Sequence, residues 1–129
     1  MIAGNSGRVL IVDDEINTLK ASASILKLNG IRNVVTESDS RLVMVIMNDG
    51  KLDVVLLDLF MPNISGMELL SLLQKQHPHV PVIIVTAASE MERVEECKQK
   101  GAFDYLVKPV KPDRILDTLQ KAFEYRKSR

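Results

Sequence analysis

A single cysteine, Cys97, in 129 residues excludes an internal disulfide, and no Cys/His cluster has the spacing of a zinc site. A reducing cytoplasm is the expected setting. Charge of one sign is also missing: 17 Lys and Arg balance 17 Asp and Glu, so no nucleic-acid or anionic-membrane surface is announced by overall charge. No apolar run approaches the roughly 20 residues that span a bilayer. Residues 1–7 lack the charged and apolar regions of a signal peptide and are expected to be a flexible lead-in. There is no internal repeat and no low-complexity segment.

What is present is enough chain for one domain with its own core and a recurring pattern in which a short apolar run hands over to a reactive side chain. Val54-Val55-Leu56-Leu57 runs into Asp58, with Pro62 and Gly66 closing the segment behind it. A run without polar alternation suits a strand covered on both faces, as in parallel sheets. Arg8 to Val12 likewise ends in Asp13-Asp14-Glu15, Val82 to Val85 in Thr86-Ala87-Ala88, and Phe103 to Val107 in Lys108-Pro109. A weaker strand is expected over 33–37.

Helical spacing fills the intervals. Ile16, Leu19, Ala23 and Leu26 recur along the first helix before Asn29-Gly30. Ser38 is expected to cap a second helix ending at Asp49-Gly50. Ser65 with Glu68, and Ser89 with Glu92, have capping-box spacing for a third and a fourth. Pro112 opens the last, where Ile115, Leu119, Ala122 and Phe123 form one stripe. Five strands alternating with five helices predict a parallel α/β sheet with helices on both faces. Right-handed crossovers then bring every strand's C-terminal end to one edge.

That edge collects Asp13, Asp14, Asp58, Thr86 and Lys108, and open α/β sheets bind ligands there. Gathered carboxylates repel by about 4 kcal/mol per pair at 4 Å in an effective dielectric of 20. A hard divalent cation such as Mg²⁺ offsets that repulsion and bridges to phosphate. The set suits uptake of a phosphoryl group: Asp58, alone on the central strand, as nucleophile, Asp13 and Asp14 holding metal, and Thr86 and Lys108 on the equatorial oxygens. A turnover phosphatase of the aspartyl-nucleophile kind carries a second Asp two residues after the first. Here that position is Phe60, so hydrolysis lacks a dedicated acid or base and the adduct is expected to persist.

In this order the motifs resemble the receiver domain of bacterial two-component response regulators. The carriers are Val12-Asp13-Asp14-Glu15, Leu57-Asp58-Leu59-Phe60-Met61-Pro62 with Gly66, Thr86-Ala87, and Tyr105-Leu106-Val107-Lys108-Pro109. The receiver is expected over 8–126, with 127–129 a tail or the start of a linker. The resemblance implies a doubly wound five-stranded sheet of order 2-1-3-4-5 in the flavodoxin-like (βα)5 arrangement. It implies transfer from a phosphohistidine of a sensor kinase or histidine phosphotransferase to Asp58. Mg²⁺ would be held by Asp14, Asp58 and the backbone carbonyl of Phe60, with Asp13 acting through water.

The Lys108-Pro109 bond would be cis, a state of about 5–6% of such bonds in folded proteins. Thr86 and Tyr105 would carry the switch to the surface of the fourth helix, fifth strand and fifth helix, also a candidate homodimer face. Phe60 and Ala88, flanking the path of an attacking water, would set the lifetime of the adduct. The domain would be a phosphoacceptor catalysing only its own phosphorylation and slow dephosphorylation. It would control an output domain or partner protein without itself touching nucleic acid or membrane. Gly66-Met67-Glu68-Leu69-Leu70 and Gly101 to Leu106 also resemble receivers of the nitrogen-regulator kind, which often precede an ATPase and a DNA-binding domain.

Two other readings compete. A nucleotide- or flavin-binding domain of similar topology needs glycines after the first strand, where this chain has Asp13-Asp14-Glu15. A phosphorylation-independent interaction module would not need the five site positions, all of which are intact. His77-Pro78-His79 is expected to be a solvated loop, Cys97 a packed side chain, and the basic residues from Lys121 onward a solvated face.

Overall fold

The computed structural model describes residues 7–128; of the expected lead-in, residues 1–6 lie outside that range. The apolar runs form five strands: β1 (Val9–Val12), β2 (Val34–Glu37), β3 (Val54–Asp58), β4 (Val82–Ala87) and β5 (Asp104–Lys108). Between and after them lie α1 (Ile16–Leu28), α2 (Val43–Asp49), α3 (Gly66–Gln76), α4 (Arg93–Gln99) and α5 (Pro112–Lys127). All strand pairs are parallel, as the alternation of strands and helices predicts, and the order is β2-β1-β3-β4-β5, as the resemblance implies. β1 and β3 are buried along their whole length, which is why their sequences show no alternation.

Side-chain alternation divides the core in two. Val9, Ile11, Val54, Leu56, Ile83 and Leu106 meet Leu19 and Leu26 of α1 and Ile115, Leu119 and Phe123 of α5. Leu10, Val12, Val55, Leu57 and Ile84 meet Val43 and Met47 of α2, Leu69, Leu70 and Leu73 of α3, and Cys97 of α4. Each fully buried aliphatic side chain contributes about 1.5–3 kcal/mol, so these two layers hold the strand ends where they are.

Helix starts differ from expectation in two places. Ser65 caps α3 as its spacing predicts, its hydroxyl accepting from the Glu68 N–H at 3.2 Å. Ser89 does not cap α4; it lies inside a 3-10 turn, Ala88–Glu90, and α4 starts at Arg93 without a side-chain cap. The reason is β4, which runs on to pair Thr86 with Val107 and Ala87 with Lys108, so the chain must turn at once. Before α2 the cap is Asp39 rather than Ser38: its carboxylate accepts from the Arg41 N–H at 3.0 Å and opens a 3-10 turn, Ser40–Leu42. Pro112 does occupy the first turn of α5.

Among the described residues no helix is long and apolar enough to cross a membrane. Cys97 is buried, its thiol 3.4 Å from the sulfur of Met67. His77-Pro78-His79 lies in the loop after α3 with Pro78 and His79 exposed, and His77 pairs its Nε2 with Asn48 Oδ1 at 2.9 Å on the surface.

Candidate functional site

Register decides what meets at the C-terminal edge. Val12 lies opposite Leu57, so Asp13 and Asp58 leave neighbouring strands side by side. Ala87 lies opposite Lys108, which brings Lys108 to the same edge. Asp13, Asp14 and Asp58 each offer a carboxylate oxygen within 4.8 Å of the others. Asp13 and Asp58 are buried, at 3% and 5% exposure, whereas Asp14 faces solvent and leaves the cluster open on one side.

Lys108 bridges the buried pair. Its Nζ is 3.1 Å from Asp13 Oδ2 and 3.5 Å from Asp58 Oδ1. The other Asp13 oxygen accepts from the Glu15 N–H at 3.0 Å, fixing that carboxylate to the turn before α1. Burial, followed by the charge of Asp13, pushes the Asp58 carboxyl up to about 6; Lys108 and the Phe60 backbone N–H pull against that rise. Burial also opposes the charge on Lys108, yet its bond to Asp13 and the fields of Asp58 and Asp13 outweigh it, and the ammonium is held above its ordinary range. The Lys108-Pro109 peptide is cis.

Thr86, the last residue but one of β4, is fully buried, its hydroxyl donating to the Ala87 carbonyl at 3.5 Å. Phe60 is 45% exposed. Tyr105 is half-buried against the α2–α3–α4 layer, under the ammonium of Lys98 at 5.5 Å from the ring centroid. Its carbonyl accepts from Arg114 at 3.3 Å, and the same guanidinium reaches Thr118 Oγ1. A cleft of about 530 Å³ runs from Asp13 and Lys108 between α1 and the connection after β5, lined by Ile25, Pro109, Val110 and Ile115.

The family model of the response regulator receiver domain matches residues 9–120. The chain belongs to that family. This receiver domain is 34% identical over 120 residues to the C4-dicarboxylate transport transcriptional regulatory protein DctD of Pseudomonas aeruginosa, covering 93% of the chain and 26% of that protein. It is 33% identical over 119 residues to the DNA-binding transcriptional regulator NtrC of Proteus hauseri, covering 92% and 25%. These likenesses support the nitrogen-regulator kind. The chain thus spans about a quarter of the length of these relatives. The N-terminal signal receiver domain of a two-component response regulator from Bacteroides fragilis superposes with a TM-score of 0.85 at 29% identity, covering 92% of this chain and 98% of that one. Receiver domains serve two-component signalling as phosphoacceptors.

Sequence reasoning missed two supports of the site. Ser40 is buried; its hydroxyl donates to the Pro62 carbonyl at 2.8 Å and accepts from the Ile64 N–H at 3.0 Å, tying down the loop after β3. Nothing local signals this, because the partners lie 22 and 24 residues away. Gly66 was visible as a turn residue, but its closeness was not. A Cβ there would lie 2.6 Å from both the Cα and the carbonyl oxygen of Leu59.

Proposed function

We propose that this receiver domain accepts a phosphoryl group on Asp58 from a phosphohistidine of a sensor kinase or histidine phosphotransferase. An Asp58 oxygen attacks phosphorus as the P–N bond breaks, and the histidine leaves with its electron pair. The observation that carries this reading is the buried Asp13–Lys108–Asp58 bridge beside an open third carboxylate. Asp58 must be ionised to attack, and with its carboxyl near 6 it is so at neutral pH.

The donor set suits Mg²⁺. Three carboxylates share one small site, one of them facing water, and a single ammonium, Lys108, bridges the buried pair. Asp13, Asp14, Asp58 and the backbone carbonyl of Phe60 would hold the ion, which when bound neutralises phosphoryl oxygens. Lys108 neutralises another, and the Thr86 hydroxyl hydrogen-bonds a third once it turns from Ala87.

The phosphoryl group adds about −1.5 to −2 charges at one point. Thr86 and Lys108 move towards it, Tyr105 repacks, and the α4–β5–α5 surface changes for an output domain, a partner protein or a second copy. The domain works in the cytoplasm, binds neither nucleic acid nor membrane itself, and spans 8–126.

The test is intact-mass measurement after incubation with Mg²⁺ and acetyl phosphate. An adduct that survives acid, is lost in alkali or hydroxylamine, and is absent in Asp58→Asn is expected. No adduct with either acetyl phosphate or a phosphorylated kinase would leave a passive interaction module as the better reading.

A further inference from the structure

Arg93, the first residue of α4, holds its guanidinium carbon 5.9 Å from the centroid of the Phe60 ring. Phe60 lies on the loop leaving β3, and Arg93 on the helix that follows β4. Those strands are hydrogen-bonded neighbours, and they carry Asp58 and Thr86 at their ends. The contact therefore crosses the edge at which the two side chains sit.

The two partners are fixed unequally. The Phe60 backbone is committed through its N–H to the Asp58 carboxylate, while its ring is 45% exposed. An exposed aromatic side chain has more than one staggered χ1 well open to it, and a cation over its face selects one. Arg93 can do the selecting because α4 is anchored beside it by buried Val94 and Cys97. The ring accordingly leans from its own loop towards α4.

We propose that Arg93 is a positioning residue for hydrolysis of the Asp58 phosphoryl group, holding the Phe60 ring across the approach of water. This rests on the reading of Asp58 as phosphoacceptor. In the hydrolysis the water oxygen bonds to phosphorus as the Asp58 Oδ–P bond breaks. The carboxylate is regenerated with its electron pair, and phosphate leaves with the added oxygen and the water's two protons, one of which passes to solvent. Phe60 offers no base, so its ring acts only by excluding water from an in-line position.

The experiment loads the wild-type chain, Arg93→Ala, Arg93→Lys, Phe60→Ala and the Phe60→Ala/Arg93→Ala double variant with Mg²⁺ and acetyl phosphate. The donor is removed by rapid desalting, and loss of the adduct is followed by intact mass. Arg93→Ala is expected to shorten the lifetime about two- to five-fold, the factor that an exposed cation–π contact carries. Arg93→Lys should recover most of it, and Arg93→Ala should add nothing once Phe60 is alanine. Equal lifetimes in wild type and Arg93→Ala, or the same acceleration with and without Phe60, overturn the proposal and leave phosphorylation of Asp58 standing. Absence of an adduct on every protein, wild type included, overturns the proposal together with the phosphoacceptor reading.

Discussion

The Lys108 ammonium is paired to Asp13 at 3.1 Å, more closely than its 3.5 Å approach to Asp58. Part of its charge is therefore engaged by a neighbour of Asp58, and the Asp58 carboxyl stands near 6 with an ammonium beside it. A phosphoryl group on Asp58 would offer Lys108 a stronger partner than Asp13.

Lys108→Ala is accordingly expected to keep its Mg²⁺ affinity within a few-fold, since no carboxylate is lost, and to fail in switching. Nuclear magnetic resonance spectra with and without the phosphodonor read both. Phosphorylation-dependent shifts around Tyr105 as large as those of the wild type would count against a role for Lys108.

Asp58→Asn should stabilise the metal-free fold at neutral pH. The Asp58 carboxyl is raised from an ordinary 3.8 to about 6, so the folded state holds the proton more tightly than the unfolded chain. The stability this contributes is full below pH 3.8 and is lost as pH rises through about 6. Thermal melts in a chelator at pH 7.5 should favour the asparagine variant by on the order of 1–3 kcal/mol, at about 1.4 kcal/mol per pK unit. The gain should shrink towards pH 4. A variant less stable than wild type at pH 7.5 would refute this.

Gly66→Ala should destabilise by about 1–3 kcal/mol, because the added methyl must push apart α3 and the end of β3. The neighbours it meets are backbone atoms of Asp58 and Leu59, which have no rotamer to yield. Urea denaturation gives the stability, and the yield of adduct should fall with it because Asp58 moves. Unchanged midpoints would mean that the α3 start is more pliant than its packing implies.

Ser40→Ala leaves the Ile64 N–H and the Pro62 carbonyl without their shared partner, at a cost of about 1–3 kcal/mol. The loop that carries Phe60 should then exchange its amide hydrogens faster from Met61 to Ile64. Wild-type exchange rates there would show that the hydroxyl is dispensable.

Much of this was legible in the chain itself. Continuous apolar runs and helical stripes dictate five strands and five helices, since backbone periodicity is a local property. The runs' reactive endings, Asp13, Asp58, Thr86 and Lys108, needed only the right-handed crossover rule to be placed on one edge. Ser89 misled because a capping pattern is local, whereas the length of β4 depends on pairing with β5, whose residues lie some twenty positions on. Ser40 was silent for the same reason.

Sequence alone thus determined which side chains the edge would carry, through the residues that end each apolar run and the right-handed crossovers between those runs. Only the tertiary structure decided their mutual state. Register set Asp13 beside Asp58, burial raised the Asp58 carboxyl, and Lys108 came to rest on Asp13. Distance and desolvation belong to pairs brought together by folding, and no single stretch of chain encodes them.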